Sequence, residues 1–188
     1  MENTSSQTPT QAPRNLVLIG FMGSGKSSVG RLAAKALGFQ FIDTDQIIVE
    51  RTGRQISDIF QTDGEGVFRA LETEAIESLG HLTRCVVSTG GGAILSEHNR
   101  QLLRALGFVV CLTASEDILF ERVSRNSKRP LLQTENPRAT LSKLIEDRSA
   151  LYKEAAHHTL DTSLLQQPAA VEALVNATRQ ALAWKPTP

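Results

Sequence analysis

The 188-residue chain carries no net charge, 20 Lys and Arg balancing 20 Asp and Glu. That balance argues against a whole-protein pull toward nucleic acid or an anionic membrane and leaves only local basic clusters to hold anions. No apolar run approaches the ~20 residues that a bilayer-spanning helix needs. Met1 to Arg14 is Ser, Thr, Gln and Pro without an apolar core, which argues against a secretory signal and predicts a disordered tail over 1–14. Cysteine is scarce: Cys85 and Cys111 sit in apolar runs (CVVS and VVCL) without ligand or disulfide spacing. They are expected as buried thiols in a reducing, cytoplasmic setting. His81, His98, His157 and His158 form no metal-ligand pattern and are expected in solvated or capping roles. There is no internal repeat. The length suits one domain, 15–183, with a frayed end over 184–188.

What is present is alternation. Asn15 to Ile19, Phe39 to Ile42, Arg84 to Val87, Phe108 to Leu112 and His158 to Leu160 read as strands, most of them the near-continuous apolar runs of a parallel sheet covered on both faces. Between them lie helical patterns over Lys26 to Leu37, Gly64 to Leu79 and Ser96 to Leu106, followed by Gly38, Gly80 and Gly107 as expected left-handed caps. Ser96 and Ser115 are expected N-caps, and later helices run from Pro137 to Glu154 and from Pro168 to Leu182. The order predicts a doubly wound α/β fold, a five-stranded parallel sheet flanked by helices. The polar, Pro-containing loop 126–136 between two helices is expected to act as a mobile lid.

Gly20 to Ser27 (GFMGSGKS) meets G-x-x-x-x-G-K-[ST], directly after an apolar strand and at the start of a helix. Such a loop turns backbone N–H groups onto phosphate oxygens, and the helix N-terminus adds its dipole. Lys26 is expected to bridge β- and γ-phosphates and the Ser27 hydroxyl to ligate Mg²⁺, with ATP as the expected nucleotide. Gly23, Ser24, Gly25 and Ser28 complete the expected nucleotide contacts.

A phosphate loop alone leaves switches, motors, transporters and small-molecule kinases open. Asp43-Thr44-Asp45 follows the second strand, where residues face the ligand crevice of a doubly wound sheet. The two carboxylates suit the metal shell and a substrate hydroxyl, or else form an N-cap cluster for the helical stretch QIIVER. Arg69 and Glu72 share a helix face, as a site pair or as an exposed ion pair, while Phe68, Leu71, Ala75 and Leu79 read as that helix's core stripe. Gly90-Gly91-Gly92 suggests close approach of backbone to a ligand. Arg129 in the loop and Arg148 on the next helix read equally as solvated arginines.

Taken together, GFMGSGKS, DTD, RTGRQISDIFQTDGEGVFRALE, STGGGA, KRPLL and DRSALY closely resemble shikimate kinases, in the family's order, from about Leu16 to Asp161. The resemblance implies a nucleoside-monophosphate-kinase-like core with a mobile lid, transferring the γ-phosphoryl of ATP to the 3-hydroxyl of shikimate within aromatic amino acid biosynthesis. It implies catalytic roles for Lys26, Asp45 and Arg129, with Asp45 holding the shikimate hydroxyls and accepting the departing proton. Asp43 orients magnesium-bound water beside Ser27. Arg69 and Arg148 clamp the shikimate carboxylate, Glu72 positions them, and Gly90, Gly91 and Gly92 give amides and clearance. Arg129 reaches the transferring phosphoryl group, and Arg122, Gln167 and Pro168 flank the adenine. The chain departs from the pattern at Ser28, where many relatives carry threonine. A monomer acting on small molecules is expected, without nucleic acid or membrane as partner. The rivals are another P-loop small-molecule kinase, such as a gluconate kinase, and a catalytically silent relative; a GTPase switch lacks its N-K-x-D sequence.

Overall fold

A computed structural model describes residues 14–124, 132 and 134–182. The expected tail 1–14 (Arg14 apart), most of the lid loop with Arg129, and the end 184–188 lie outside the described residues.

Five parallel strands, β1 (Leu16–Ile19), β2 (Gln40–Asp43), β3 (Cys85–Ser88), β4 (Phe108–Thr113) and β5 (His158–Asp161), form one sheet in the order β2-β3-β1-β4-β5. β1 is fully buried at the centre, paired Leu16 to Val86 on one side and Leu16 to Phe108 on the other. The edge strands β2 and β5 are more exposed and correspondingly more polar (QFID and HTLD). Alternating side chains divide the core, as the two-residue period of a strand requires. Leu16, Leu18, Val86, Val110 and Leu112 pack with α1 (Lys26–Leu37) and α8 (Gln167–Ala181). Val17, Ile19, Val87, Val109 and Cys111 face α4 (Gly64–Glu77), α5 (Glu97–Leu106), α6 (Glu116–Ser124) and α7 (Pro137–Ala155). A satellite cluster of Ile48, Ile59, Phe68 and Ala75 joins α2 (Thr44–Thr52) and α3 (Ile56–Thr62) to α4. Both cysteines are free and buried.

Asn15 ties the N-terminal edge of the sheet together: its amide donates to the Leu82 and Leu106 carbonyls at 2.8 and 2.9 Å and accepts from the Cys85 N–H at 3.0 Å. Ser96 caps α5 as expected, its hydroxyl accepting from the Asn99 N–H. The glycine stops differ from expectation. Gly38 is left-handed (φ 65°) and ends α1. Gly80 has no positive φ and α4 stops earlier, at Glu77 with Ser78 as cap. Gly107 is extended (φ 175°), and a side chain there would strike the Asn15 carbonyl, so close packing rather than handedness selects it. No helix among the described residues is long and apolar enough to cross a membrane.

Candidate active site

The C-terminal ends of β1, β2 and β3 open on one crevice. Gly20 (φ 142°), Gly23 (φ 82°) and Gly25 (φ 95°) turn the chain from β1 into α1 in a conformation L side chains resist. Lys26, only 8% exposed, donates to the Gly20 and Phe21 carbonyls at 2.8 and 3.0 Å, which holds its ammonium over the loop. Gly23, Ser24, Gly25, Lys26, Ser27, Ser28, Asp43 and Asp45 line a cavity of about 510 Å³. Arg122 lines it from α6 and donates to the Gly23 carbonyl at 3.3 Å. Gln167 lines its far wall, together with Thr162, Leu165 and Ala170, which the sequence did not single out. Pro168 stands in the first turn of α8 and is not on the cavity wall. The departure at Ser28 is benign here, since its hydroxyl donates to the Gly25 carbonyl at 3.0 Å.

Asp43 takes the N-cap role and also meets Ser27. One carboxylate oxygen accepts from the Asp45 N–H at 3.1 Å and caps α2; the other accepts from the Ser27 hydroxyl at 2.9 Å. Ser88, at the end of β3, lies 3.3 Å from the same hydroxyl. Hard oxygen donors beside a phosphate loop suit Mg²⁺, which takes few protein ligands and keeps phosphate and water oxygens. Among the described residues no group of three or more His, Cys, Asp or Glu is placed to hold a metal by itself.

A second cavity of about 90 Å³ shares Met22, Asp45, Gly90 and Gly91 with the first. Arg69, Glu72, Gly92 and Arg148 complete its polar wall, and Ile56, Phe60 and Phe68 its apolar one. Phe68 was expected in the core alone. It is core at 4% exposure, yet its ring also meets the cavity, tilted by 39° against the Phe60 ring at 4.7 Å between centres. No local periodicity distinguishes these two uses of one buried ring.

Glu72 is wholly buried and accepts from Arg69 at 2.8 Å. Burial pushes its carboxyl above the usual carboxylate range, against the pull of Arg69, while nearby Asp45 adds to the rise. Arg69 also donates to Glu65 at 2.8 Å; burial alone would lower its pKa, but the two glutamates outweigh that and raise it. Thus the Arg69–Glu72 pair belongs to the cavity and is not an exposed surface bridge. Arg148 is 5% exposed, its guanidinium 5.9 Å from the centre of the Phe21 ring, with no carboxylate at ion-pair distance among the described residues.

The three glycines are explained by what presses on them. None has a positive φ. A Cβ on Gly90 would sit 2.5 Å from a Glu72 carboxylate oxygen and 2.9 Å from one of Asp45, and a Cβ on Gly92 would overlap the Arg69 guanidinium. A Cβ on Gly91 would lie 3.3 Å from the Met22 nitrogen. Thr44, wholly buried, accepts from the Gly90 N–H at 3.3 Å and joins the DTD turn to the glycine loop. Thr44 and Tyr152, whose hydroxyl donates to the Gly91 carbonyl at 2.6 Å, were not anticipated from the sequence. Their partners lie 46 and 61 positions away, beyond any local pattern.

The family model described as shikimate kinase matches residues 22–179. The shikimate kinase of Thermodesulfovibrio yellowstonii is 44% identical over 162 residues, covering 86% of this chain and 93% of that one. The solved structure of shikimate kinase from Acinetobacter baumannii in complex with shikimate superposes with a TM-score of 0.83 at 38% identity, over 92% of this chain and 95% of that one. A gluconokinase from Sinorhizobium meliloti, 23% identical with a TM-score of 0.50 over 90% of this chain and 96% of that one, shares the fold alone. With a family match across most of its length, close relatives of nearly equal extent and the same five-stranded architecture, the chain belongs to the shikimate kinase family.

Proposed function

We propose that this chain transfers the γ-phosphoryl group of ATP to the 3-hydroxyl of shikimate, giving shikimate 3-phosphate and ADP, with Mg²⁺ as the metal, as a step toward aromatic amino acids. The observation that carries the acceptor is Arg148, a buried guanidinium that faces the small cavity with no carboxylate at ion-pair distance among the described residues, Glu72 attracting it only from farther off. A buried cation of that kind calls for an anionic ligand, and the planar fork of an arginine fits a carboxylate. Arg69 extends the clamp, with Glu72 holding it in place. The apolar wall of Ile56, Phe60 and Phe68 suits the face of a six-membered carbon ring.

Phosphoryl transfer passes through a loose transition state, so the protein chiefly positions the reactants and offsets charge. Lys26 would bring its ammonium to the phosphate oxygens, and Ser27, with Asp43 through water, would hold Mg²⁺. Bound there, the metal would neutralise charge on the phosphate oxygens. Asp45 lies on the wall common to both cavities, so its carboxylate is the group to orient the acceptor hydroxyl and take its proton. Gly90, Gly91 and Gly92 leave room for that approach. Arg129, outside the described residues, keeps the role the family pattern gives it, reaching the transferring group from the lid. Arg122 and Gln167 flank the adenine; Pro168 contributes by starting α8. The enzyme is read as a monomer, and the two buried free thiols suit a cytoplasmic setting.

The test is a coupled assay of ADP release with shikimate, gluconate or no acceptor. The expected outcome is release that depends on shikimate. Release that ignores shikimate, or that gluconate supports as well, defeats the proposal.

A further inference from the structure

Tyr152 is the chain's sole tyrosine, and its ring lies inside the molecule at 8% exposure. It stands one helical turn after Arg148 on α7, so the two side chains leave the same face. Its hydroxyl donates to the carbonyl of Gly91 at 2.6 Å, at the short end for such a bond. Gly91 in turn lies against the start of the phosphate loop, since a Cβ there would meet the Met22 nitrogen at 3.3 Å and the Gly20 carbonyl at 3.5 Å. One hydroxyl therefore joins three pieces: the helix that presents Arg148, the glycine loop between the cavities and the loop that holds phosphate.

The helix end that carries this hydroxyl is itself fastened. Arg104 on α5 donates to the Glu154 and Ala155 carbonyls, both at 3.1 Å, closing the last turn of α7. Arg100 donates to the Glu154 carboxylate at 3.1 Å and to the Ile94 carbonyl at 2.9 Å, just beyond the glycines. α7 cannot slide by a fraction of a turn without breaking these bonds, so the Tyr152 hydroxyl is a fixed post and not a flexible tether. Burial keeps the phenol far above its ordinary pKa against the pull of Arg148, which is also bonded to this oxygen, so the oxygen retains its proton and stays a donor to Gly91.

We propose that Tyr152 is a positioning residue for phosphoryl transfer: its bond to the Gly91 carbonyl sets the separation between the acceptor clamp at Arg148 and the donor loop at Gly20 to Met22. The inference rests on the acceptor reading given above. A displacement of the reacting groups by about 1 Å is enough to lower turnover by a large factor, and Gly91 has no side chain of its own to fix its place.

Tyr152→Phe keeps the ring and its packing and deletes the hydroxyl, with both its bond to the Gly91 carbonyl and its bond with Arg148. The expected result is a kcat lowered about tenfold and a KM for shikimate raised at least about threefold, with the KM for ATP within about twofold of wild type. A folded variant with wild-type kcat and shikimate KM overturns the proposal, as does an equal rise of both KM values, the signature of general loosening. A second measurement does not depend on the variant folding. Because the chain has one tyrosine, 3-fluorotyrosine incorporation places a single ¹⁹F reporter at this hydroxyl. Saturating shikimate is expected to shift that resonance, and an unmoved resonance overturns the proposal. Wild-type enzyme in the same assay separates the two claims. If it fails to phosphorylate shikimate, the acceptor reading falls and takes this inference with it; if it turns over and Tyr152→Phe matches it, only the inference falls.

Discussion

Two buried charges in the small cavity are treated in opposite ways. Glu72 has its counter-ion within the protein, Arg69 at 2.8 Å, whereas Arg148 has no carboxylate partner among the described residues. Removing one partner of a close buried pair strands the other, whereas Arg148 attracts Glu72 only from beyond ion-pair distance and otherwise meets the Tyr152 hydroxyl, so its loss costs the fold less. Arg148→Leu is therefore expected to raise the KM for shikimate about 10- to 100-fold, the worth of hydrogen bonds to a charged group, while the melting temperature stays within about 2 °C of wild type or rises. A large fall in melting temperature would mean that Arg148 holds the fold together and is not kept for a ligand. Gly92→Ala tests the other side of the wall. The backbone there has φ −100° and tolerates alanine, so the only conflict is between the new Cβ and the Arg69 guanidinium. Displacing Arg69 leaves Glu72 without its cation. Both a weaker shikimate KM and a loss of about 1–3 kcal/mol in unfolding free energy are expected, measured by kinetics and denaturant titration; a variant equal to wild type in both would show that the loop yields freely.

At the scale of elements, the parts that bury most were the most readable. Buried strands such as LVLI and FVVCL announce themselves as short apolar runs, and α1 begins and ends where its caps predict. α3 was not anticipated: seven residues with only Ile59 buried are too short to display a period. The 3-10 turn Ala93–Leu95 after the glycines escaped for the same reason. β5 was legible as a strand, but its partner contacts were not. His157, just before it, accepts the Val109 N–H on its Nδ1 at 3.0 Å, so the ring must be neutral to make the bond. Burial, then the nearby Arg104, push its pKa below the ordinary histidine value. A folded-state pKa below the unfolded one means that the unfolded chain takes the proton first. The stabilisation is thus complete above about pH 6.5 and fades as pH falls toward the folded-state value. The gap in melting temperature between wild type and His157→Ala should be widest above neutrality and narrow on acidification through that window. A gap that is flat or grows at low pH would contradict this assignment of the bond.

For the molecule as a whole, the site is legible in the sequence by family pattern and only partly by local physics. The phosphate loop stands out because strand, loop and helix are contiguous. The clamp does not, because Arg69 and Arg148 come from α4 and α7 and meet only after the sheet is wound. What the three-dimensional arrangement adds is that the donor and acceptor cavities are not separate compartments: Met22, Asp45, Gly90 and Gly91 belong to both. Ligands sharing a wall should not bind independently. Each alone, at ~100 times its dissociation constant, stabilises the folded state by about 2.7 kcal/mol, which for a domain of this size raises the melting temperature by roughly 5–10 °C. With shikimate and magnesium ADP together, the shift should exceed the sum of the two single shifts, because the first ligand orders a wall that the second then finds in place. The same coupling must appear at equilibrium in both directions: ADP should tighten shikimate binding by the factor, about fivefold or more, by which shikimate tightens ADP binding. Titration calorimetry with each ligand, in the absence and presence of the other, reads both factors. Equal affinities in all four titrations would show that the common wall is rigid before either ligand arrives and transmits nothing between them.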